Sequence, residues 1–118
     1  MIEVGARSRS QPAPPWVLFE ALSQPDRDPS RPWLRLREDE VEPRVVELVE
    51  PQLVVWSSLW LKRPDARVRF EISPDGSGCT VRWRLFVEEP EPEAPLLGHL
   101  RKRLNQLINA DLRYSFGQ

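Results

Sequence analysis

The sequence predicts an α+β fold in which an antiparallel sheet of about six strands wraps around a long C-terminal helix. Three observations predict this fold. Apolar and polar residues alternate in several short segments, as in half-buried strands. The central segments are joined by only a few residues, so consecutive strands are expected to pair as antiparallel hairpins. The last segment, residues 96–116, repeats its leucines at helical spacing over about 20 residues.

The first two elements are a strand over residues 2–10 and a helix that follows a pair of prolines. Alternating apolar and polar residues indicate the strand. Pro14 and Pro15 suit a helix start and Pro25 its end, because proline lacks the amide hydrogen that a helix interior needs. Residues 24–32 are rich in Pro, Asp and Ser and are predicted to be a loop.

Further strands are predicted before the closing helix. They cover residues 33–37, 43–50, 53–61, 66–73 and 79–88. The acidic, proline-rich segment that follows is not a domain boundary, because the apolar stripe of the last helix needs the sheet to cover it. We therefore expect one domain over residues 1–118.

The lengths of the hairpin connections predict which face each side chain occupies. A KRPD loop would pair Ser57 with Phe70, and a PQ turn would pair Leu48 with Val55. Both pairings place the same set of residues of the 53–61 strand inward. Both also predict the same two outward aromatic side chains, Trp56 and Trp60.

Composition excludes several classes of protein. Seventeen basic and 18 acidic residues give a net charge of −1, so no net positive charge attracts nucleic acid. The single cysteine, Cys79, excludes an internal disulfide. The N-terminus has no apolar run typical of a signal peptide, and no segment reaches the length of a membrane span. The expected location is the cytoplasm.

The segment PPWVLFEALSQPDR, residues 14–27, resembles the first-helix signature of the START-like/SRPBCC superfamily, which includes polyketide cyclases and Bet v 1-like helix-grip proteins. Residues 44–56 and 68–85 are similar to its central and penultimate hairpins, and residues 96–116 to its closing helix. The resemblance implies an apolar pocket between the sheet and that helix. Residues 27–42 are shorter than in a typical member, which implies a small, open or filled cavity.

The resemblance and the predicted inward faces together indicate non-enzymatic binding of an apolar small molecule, such as a lipid or a polyketide-like compound. Binding would bury apolar ligand surface, with few polar groups to orient it. The predicted lining residues are Leu34, Leu36, Val46, Leu48, Val55, Ser57, Leu59, Phe70 and Trp83 on the sheet side, and Leu97, Leu100 and Leu104 on the helix.

No catalytic residue, cofactor or metal site is predicted. His99 is interpreted either as a polar group at the pocket mouth or, more simply, as a solvated helix residue. Cys79 faces inward, where a small apolar role is expected. A cyclase or aromatase is the enzymatic alternative, but it needs acid and base groups inside the cavity, and the inward rows lack them.

A third hypothesis is a protein-interaction or dimerisation module that uses the outer face of the sheet. Trp and Arg are enriched at binding hot spots. The alternative is that arginine stems simply shield the two indole rings. The predicted interface residues are Trp56, Trp60, Arg67 and Arg69.

Overall fold

The computed structural model describes residues 1–27, 29–30 and 32–116; Asp28 and Arg31 of the predicted loop, and residues 117–118, lie outside the described residues. The strands are β1 (Ile2–Gln11), β2 (Val45–Val49), β3 (Leu53–Trp56), β4 (Arg67–Asp75) and β5 (Gly78–Val87). The helices are α1 (Pro15–Ser23), α2 (Ala94–Gln106) and α3 (Arg113–Phe116), and a π-helical segment (Leu107–Leu112) joins α2 to α3. Residues 94–116 are called the closing helix.

The five strands form one antiparallel sheet in the order β1-β5-β4-β3-β2. The first and last strands are therefore neighbours, and β2 forms an edge. Both α1 and the closing helix pack on the same face, which we call the inner face. The predicted α+β fold, with a sheet around a long C-terminal helix, is confirmed with five strands. No helix among the described residues is long and apolar enough to cross a membrane.

Proline and glycine set the ends of several elements. Pro14 is the N-cap of α1 and Pro15 is its first residue, a position where no amide hydrogen is needed. The helix ends at Ser23, two residues before Pro25. In the β4–β5 turn Gly76 has a φ of 60°, which a residue with a Cβ rarely adopts.

The predicted faces of β4 and β5 are confirmed. Val68, Phe70 and Ile72 are buried on the inner face, and Phe70 pairs with Trp83 of β5. The predicted stripe of the closing helix is buried as well, over Leu100, Leu104, Leu107, Ile108 and Leu112. In these segments alternation or helical spacing is strict, so the sequence pattern alone identifies the buried side.

The predicted register between β3 and β4 is wrong. Phe70 pairs with Val54 instead of Ser57, which is a shift of three residues. Because side chains alternate between faces, an odd shift moves every residue of β3 to the opposite face. Trp56 therefore pairs with Val68 on the inner face and is fully buried, where an outward position was predicted.

The two serines after Trp56 explain this shift. The Ser57 Oγ accepts a 2.7 Å hydrogen bond from the Arg44 amide, and the Ser58 Oγ accepts a 3.0 Å bond from the Trp60 amide. Such side chain–backbone bonds compete with a strand ladder. Strand β3 ends at Trp56, so the connection to β4 is longer than the predicted four residues.

The register between β2 and β3 also differs from the prediction. Leu48 pairs with Val54 instead of Val55, because residues 50–52 form the turn where two residues were expected. A second irregularity shifts the ladder before Glu47. Both predicted hairpins were thus displaced by an odd number of residues, which is why they agreed on the same incorrect face.

Residues 33–37 do not form the predicted strand. Trp33 is buried instead and packs on Trp56, with the ring centroids 6.0 Å apart. We call residues 33–41 the strap; they form no strand of the sheet, and Glu40 pairs through an isolated β-bridge with Trp60 in the β3–β4 connection. Among the described strands none lies beyond β2.

Candidate functional site

The predicted pocket residues divide into two groups. Seven lie in or against the core between the sheet and the helices: Leu34, Leu59, Phe70, Trp83, Leu97, Leu100 and Leu104. The other five are displaced by the changed registers and the missing strand. Leu36, Val46 and Leu48 are exposed, Val55 pairs with Arg69 on the outer face, and Ser57 lies in the β3–β4 connection.

Protein groups fill the space in which the pocket was expected. The Trp83 Nε1 donates a 3.1 Å hydrogen bond to the Asn105 Oδ1, which joins β5 directly to the closing helix. The Trp56 Nε1 donates a 2.8 Å bond to the backbone oxygen of Leu22 in α1. Trp56 also packs edge-on against Phe70, with centroids 4.7 Å apart. These direct contacts correspond to the filled cavity, one of the outcomes expected from the short 27–42 region.

A buried ion pair fixes the strap to the closing helix. The Arg103 Nε donates to the Glu40 Oε2 at 2.6 Å, and the Arg103 Nη2 donates to the Glu40 Oε1 at 2.9 Å. Their side chains are only 2% and 0% exposed. The same Nη2 also donates to the Arg35 backbone oxygen at 2.7 Å. Because this guanidinium is paired on several atoms, its burial is compensated, and the strap is held over the core.

His99 forms a second, exposed link between the strap and the closing helix. Its Nε2 lies 2.8 Å from the Asp39 Oδ2. Hydrogen bonding to His99 lowers the pKa of Asp39 below its usual value. The His99 side chain is 43% exposed, as expected for the simpler interpretation of a solvated helix residue, and it links the closing helix to Asp39 of the strap.

Trp56 and Trp60 cannot form the predicted outer interface, because they are 0% and 1% exposed. Arg67 and Arg69 are partly exposed on the outer face, as expected. The Arg69 Nε donates a 2.8 Å bond to the Glu71 Oε2.

Cys79 is fully buried on the inner face. Burial raises the pKa of its thiol to about 11, and the charge of Asp75 adds to this effect. A nucleophilic cysteine needs thiolate at neutral pH. The predicted role as a small apolar core residue therefore fits its surroundings.

The described surface carries five grooves of about 170 to 570 Å³. None of these five is lined by Phe70, Trp83, Leu100 or Leu104. The groove of about 420 Å³ lies between α1 and the end of the closing helix. Sequence reasoning missed it, although Trp16 lies off the apolar stripe of α1 and could have indicated an exposed aromatic residue.

Edge strand β2 is the second surface feature that the sequence analysis missed. Val46, Leu48 and Val49 are 45%, 52% and 49% exposed. The predicted strand at 33–37 would have added material on this side of the sheet. The signal that could have revealed the edge is the pair of prolines, Pro43 and Pro51, which flank β2 closely.

Similar solved structures show that this architecture is a known one. The Aha1 dimer from Colwellia psychrerythraea matches with a TM-score of 0.73 and 13% identity, over 99% of this chain and 97% of that one. CalU16 from Micromonospora echinospora matches with a TM-score of 0.66 and 16% identity, over 92% and 70%. Ara h 8.0201 matches with a TM-score of 0.69 and 9% identity, over 97% of each chain.

The fold is therefore the helix-grip fold that these structures share and that the sequence resemblance implied. At these identities the likeness establishes the fold alone. No family model and no curated protein matches the sequence.

Proposed function

We propose that this protein is a non-enzymatic interaction module that forms a homodimer through edge strand β2. The observation that carries the proposal is the exposure of Val46, Leu48 and Val49 on a strand with no neighbour on one side in the described sheet. An edge strand offers unpaired amide and carbonyl groups to another strand. Together with the exposed apolar side chains, these backbone groups form a surface suited to pairing with another strand.

Most of the exposed apolar side chains lie on the strap, on β2 and on the β3–β4 connection. They are six of the nine large apolar residues exposed in the described chain: Leu36, Val41, Val46, Leu48, Val49 and Leu61. The Leu61 amide donates a 3.1 Å hydrogen bond to the Asp39 backbone oxygen, so Leu61 lies against the strap. Leu48 and Val49 project to opposite faces of β2, so exposed apolar side chains flank both sides of the edge to which a second strand would add.

A second copy of the chain suits this edge. When two β2 strands pair antiparallel about a two-fold axis, the start of each strand lies beside the end of the other. Arg44 precedes β2 and Glu50 follows it, so opposite charges meet at both ends. The similar Aha1 protein of Colwellia psychrerythraea is a dimer, which supports this choice of partner.

The interior of the grip supports a carrier or a cyclase less well. An apolar ligand there would have to replace the Trp83–Asn105 contact and the packing of Trp56 on Phe70. A cyclase would also need acid and base groups at the reacting atoms. The buried ion pair of Arg103 with Glu40 holds the strap instead.

Analytical ultracentrifugation of the wild type, Leu48→Lys and Tyr114→Lys tests the proposal. Tyr114 is a matched control, since it is 83% exposed on the closing helix, away from β2. We expect a dimer for the wild type and for Tyr114→Lys. Leu48→Lys should raise the dimer Kd about tenfold or more, because a charge in a paired edge interrupts its apolar contact. A monomeric wild type at all concentrations, or an unchanged Kd in Leu48→Lys, would exclude the β2 dimer.

A substitution of Glu47 should change the dimer Kd in the opposite direction to Leu48→Lys. Glu47 lies at the centre of β2, so the two carboxylates of a dimer come near the two-fold axis. Like charges placed opposite each other destabilise a strand pair. Glu47→Gln should therefore lower the dimer Kd, and this gain separates a specific β2 contact from general aggregation.

A further inference from the structure

The groove of about 420 Å³ lies on the side of α1 that faces away from the sheet. Trp16, Val17, Glu20, Ala21 and Gln24 line it at helical spacing. Pro25, Arg27 and Phe116 complete it, so the end of the closing helix forms the opposite wall. The volume lies within the range of about 300–1,000 Å³ typical of small-molecule sites.

Trp16 is the unusual member of this lining, because it is 63% exposed. The other tryptophans, Trp33, Trp56, Trp60 and Trp83, are each at most 2% exposed. The opposite side of α1 buries Leu18 and Leu22 against the core. On the groove side of α1 the fold thus leaves the Trp16 indole uncovered, and this indole together with the Phe116 ring favours a flat partner.

Charge at the rim limits the chemistry of that partner. The Arg27 Nη1 lies 2.5 Å from the Glu20 Oε2, so the cation and the anion of the groove neutralise each other. Gln24 adds a neutral amide that can donate or accept a hydrogen bond. The described lining therefore carries no unpaired charge that would attract an ionic ligand, and an uncharged ligand suits it better.

We propose that this groove binds a neutral, flat and mostly apolar small molecule that stacks on Trp16 and takes one hydrogen bond from, or gives one to, Gln24. The site is separate from the space inside the grip, where Trp83 and Asn105 are in contact. It also does not include β2, so it does not depend on the proposed homodimer.

Fluorescence titration with two related dyes tests the site. The neutral probe is N-phenyl-1-naphthylamine, and the anionic one is 1-anilinonaphthalene-8-sulfonate. We expect the neutral probe to bind the wild type more tightly than the sulfonate. Trp16→Ala and Phe116→Ala should each weaken its binding at least about tenfold, as for an aromatic residue at the centre of a site. Tyr114→Ala is the control, since Tyr114 is exposed nearby in sequence but does not line the groove.

Three results would overturn the proposal. The first is the absence of probe binding, and the second is unchanged binding in Trp16→Ala. The third concerns the quenching of tryptophan fluorescence by acrylamide in the protein without probe. Quenching that weakens as the protein concentration rises, in both the wild type and Leu48→Lys, would overturn the proposal. Trp16 is the exposed tryptophan of the described chain, so such protection would mean that a second copy covers the groove. Probe binding that is retained in Leu48→Lys would show that the groove binds its ligand independently of the β2 dimer.

Discussion

The indole of Trp83 and the side-chain amide of Asn105 are joined by a hydrogen bond of 3.1 Å that crosses from the sheet to the closing helix. Trp83 is 2% exposed, so its Nε1 has little access to water. The sequence resemblance implied an apolar pocket in this region. The structure has a direct side-chain contact there, which links the sheet to the closing helix.

Asn105→Ala should destabilise the fold by about 1–3 kcal/mol, because it leaves the buried Trp83 Nε1 without its acceptor. The free energy of unfolding from chemical denaturation measures this loss. Lys102→Ala is the control on the same helix, at an exposed position. Equal stability of Asn105→Ala and the control would show that the bond contributes nothing to closing the grip.

Glu40→Ala should cost about 3–5 kcal/mol, since it removes the buried carboxylate that binds the Arg103 guanidinium and leaves only Asp111, 3.8 Å away, as an acidic neighbour among the described residues. Arg103→Met combined with Glu40→Leu should restore part of the loss, because neither buried charge then remains. The comparison of Glu40→Leu and Arg103→Met, each made singly, with the double variant measures the coupling. Glu3→Gln, in the partly exposed pair with Arg84, should have a much smaller effect. Additive losses at residues 40 and 103 would contradict the assignment of the pair as one unit.

Asp65 should make the free energy of unfolding depend on pH in the acid range. The Arg63 guanidinium, hydrogen-bonded to its carboxylate, lowers the pKa of Asp65 from 3.8 to about 2. The folded state therefore binds this proton less readily than the unfolded state, so the stabilisation is complete above about pH 4 and is lost as the pH falls through about 2. Asp65→Asn should lower stability at pH 6 and flatten the stability curve between pH 4 and 2. Parallel curves for the wild type and the variant would refute this linkage.

Two glycines form a matched pair for substitution by alanine. A Cβ at Gly78 would lie 2.2 Å from the Gln11 backbone oxygen, so Gly78→Ala must displace β1 from β5. A Cβ at Gly98, in α2, would meet no atom within 4 Å. Gly98→Ala should stabilise the protein by up to about 1 kcal/mol through its higher helix propensity. Thermal unfolding of both variants tests the contrast, and a Gly78→Ala protein as stable as wild type would disprove the predicted clash.

Local sequence patterns were sufficient to identify the buried residues of a strand or helix in which apolar residues recur at strict spacing. The inner residues of β4 and β5 and the stripe of the closing helix could all be identified from their spacing. The face of Trp56 could not, because it depends on the length of a connection. Ser57 and Ser58 bond to backbone groups, lengthen that connection and reverse the face.

The residues of the candidate sites also divide into those that a local sequence pattern could place and those that it could not. Cys79 was correctly placed inside because it belongs to a strictly alternating strand. The partner of Arg103 was not predictable, since Glu40 lies 63 residues away and reaches it only through the path of the strap. Trp16 lies within the segment that resembles the first-helix signature, but no role was predicted for it, since its exposure depends on where the closing helix ends.

The sequence by itself determined the α+β class and the buried sides of β4, β5 and the closing helix, because these follow from periods of two and 3.6 residues. The helix-grip fold was implied by the resemblance of residues 14–27, 44–56, 68–85 and 96–116 to a known family. Only the tertiary structure decided that Trp56 and Trp60 lie inside, that the strap covers the core and that β2 is an edge. Each of these outcomes depends on contacts between segments distant in the chain, such as Arg103 with Glu40 and Trp33 with Trp56. No local period carries that information.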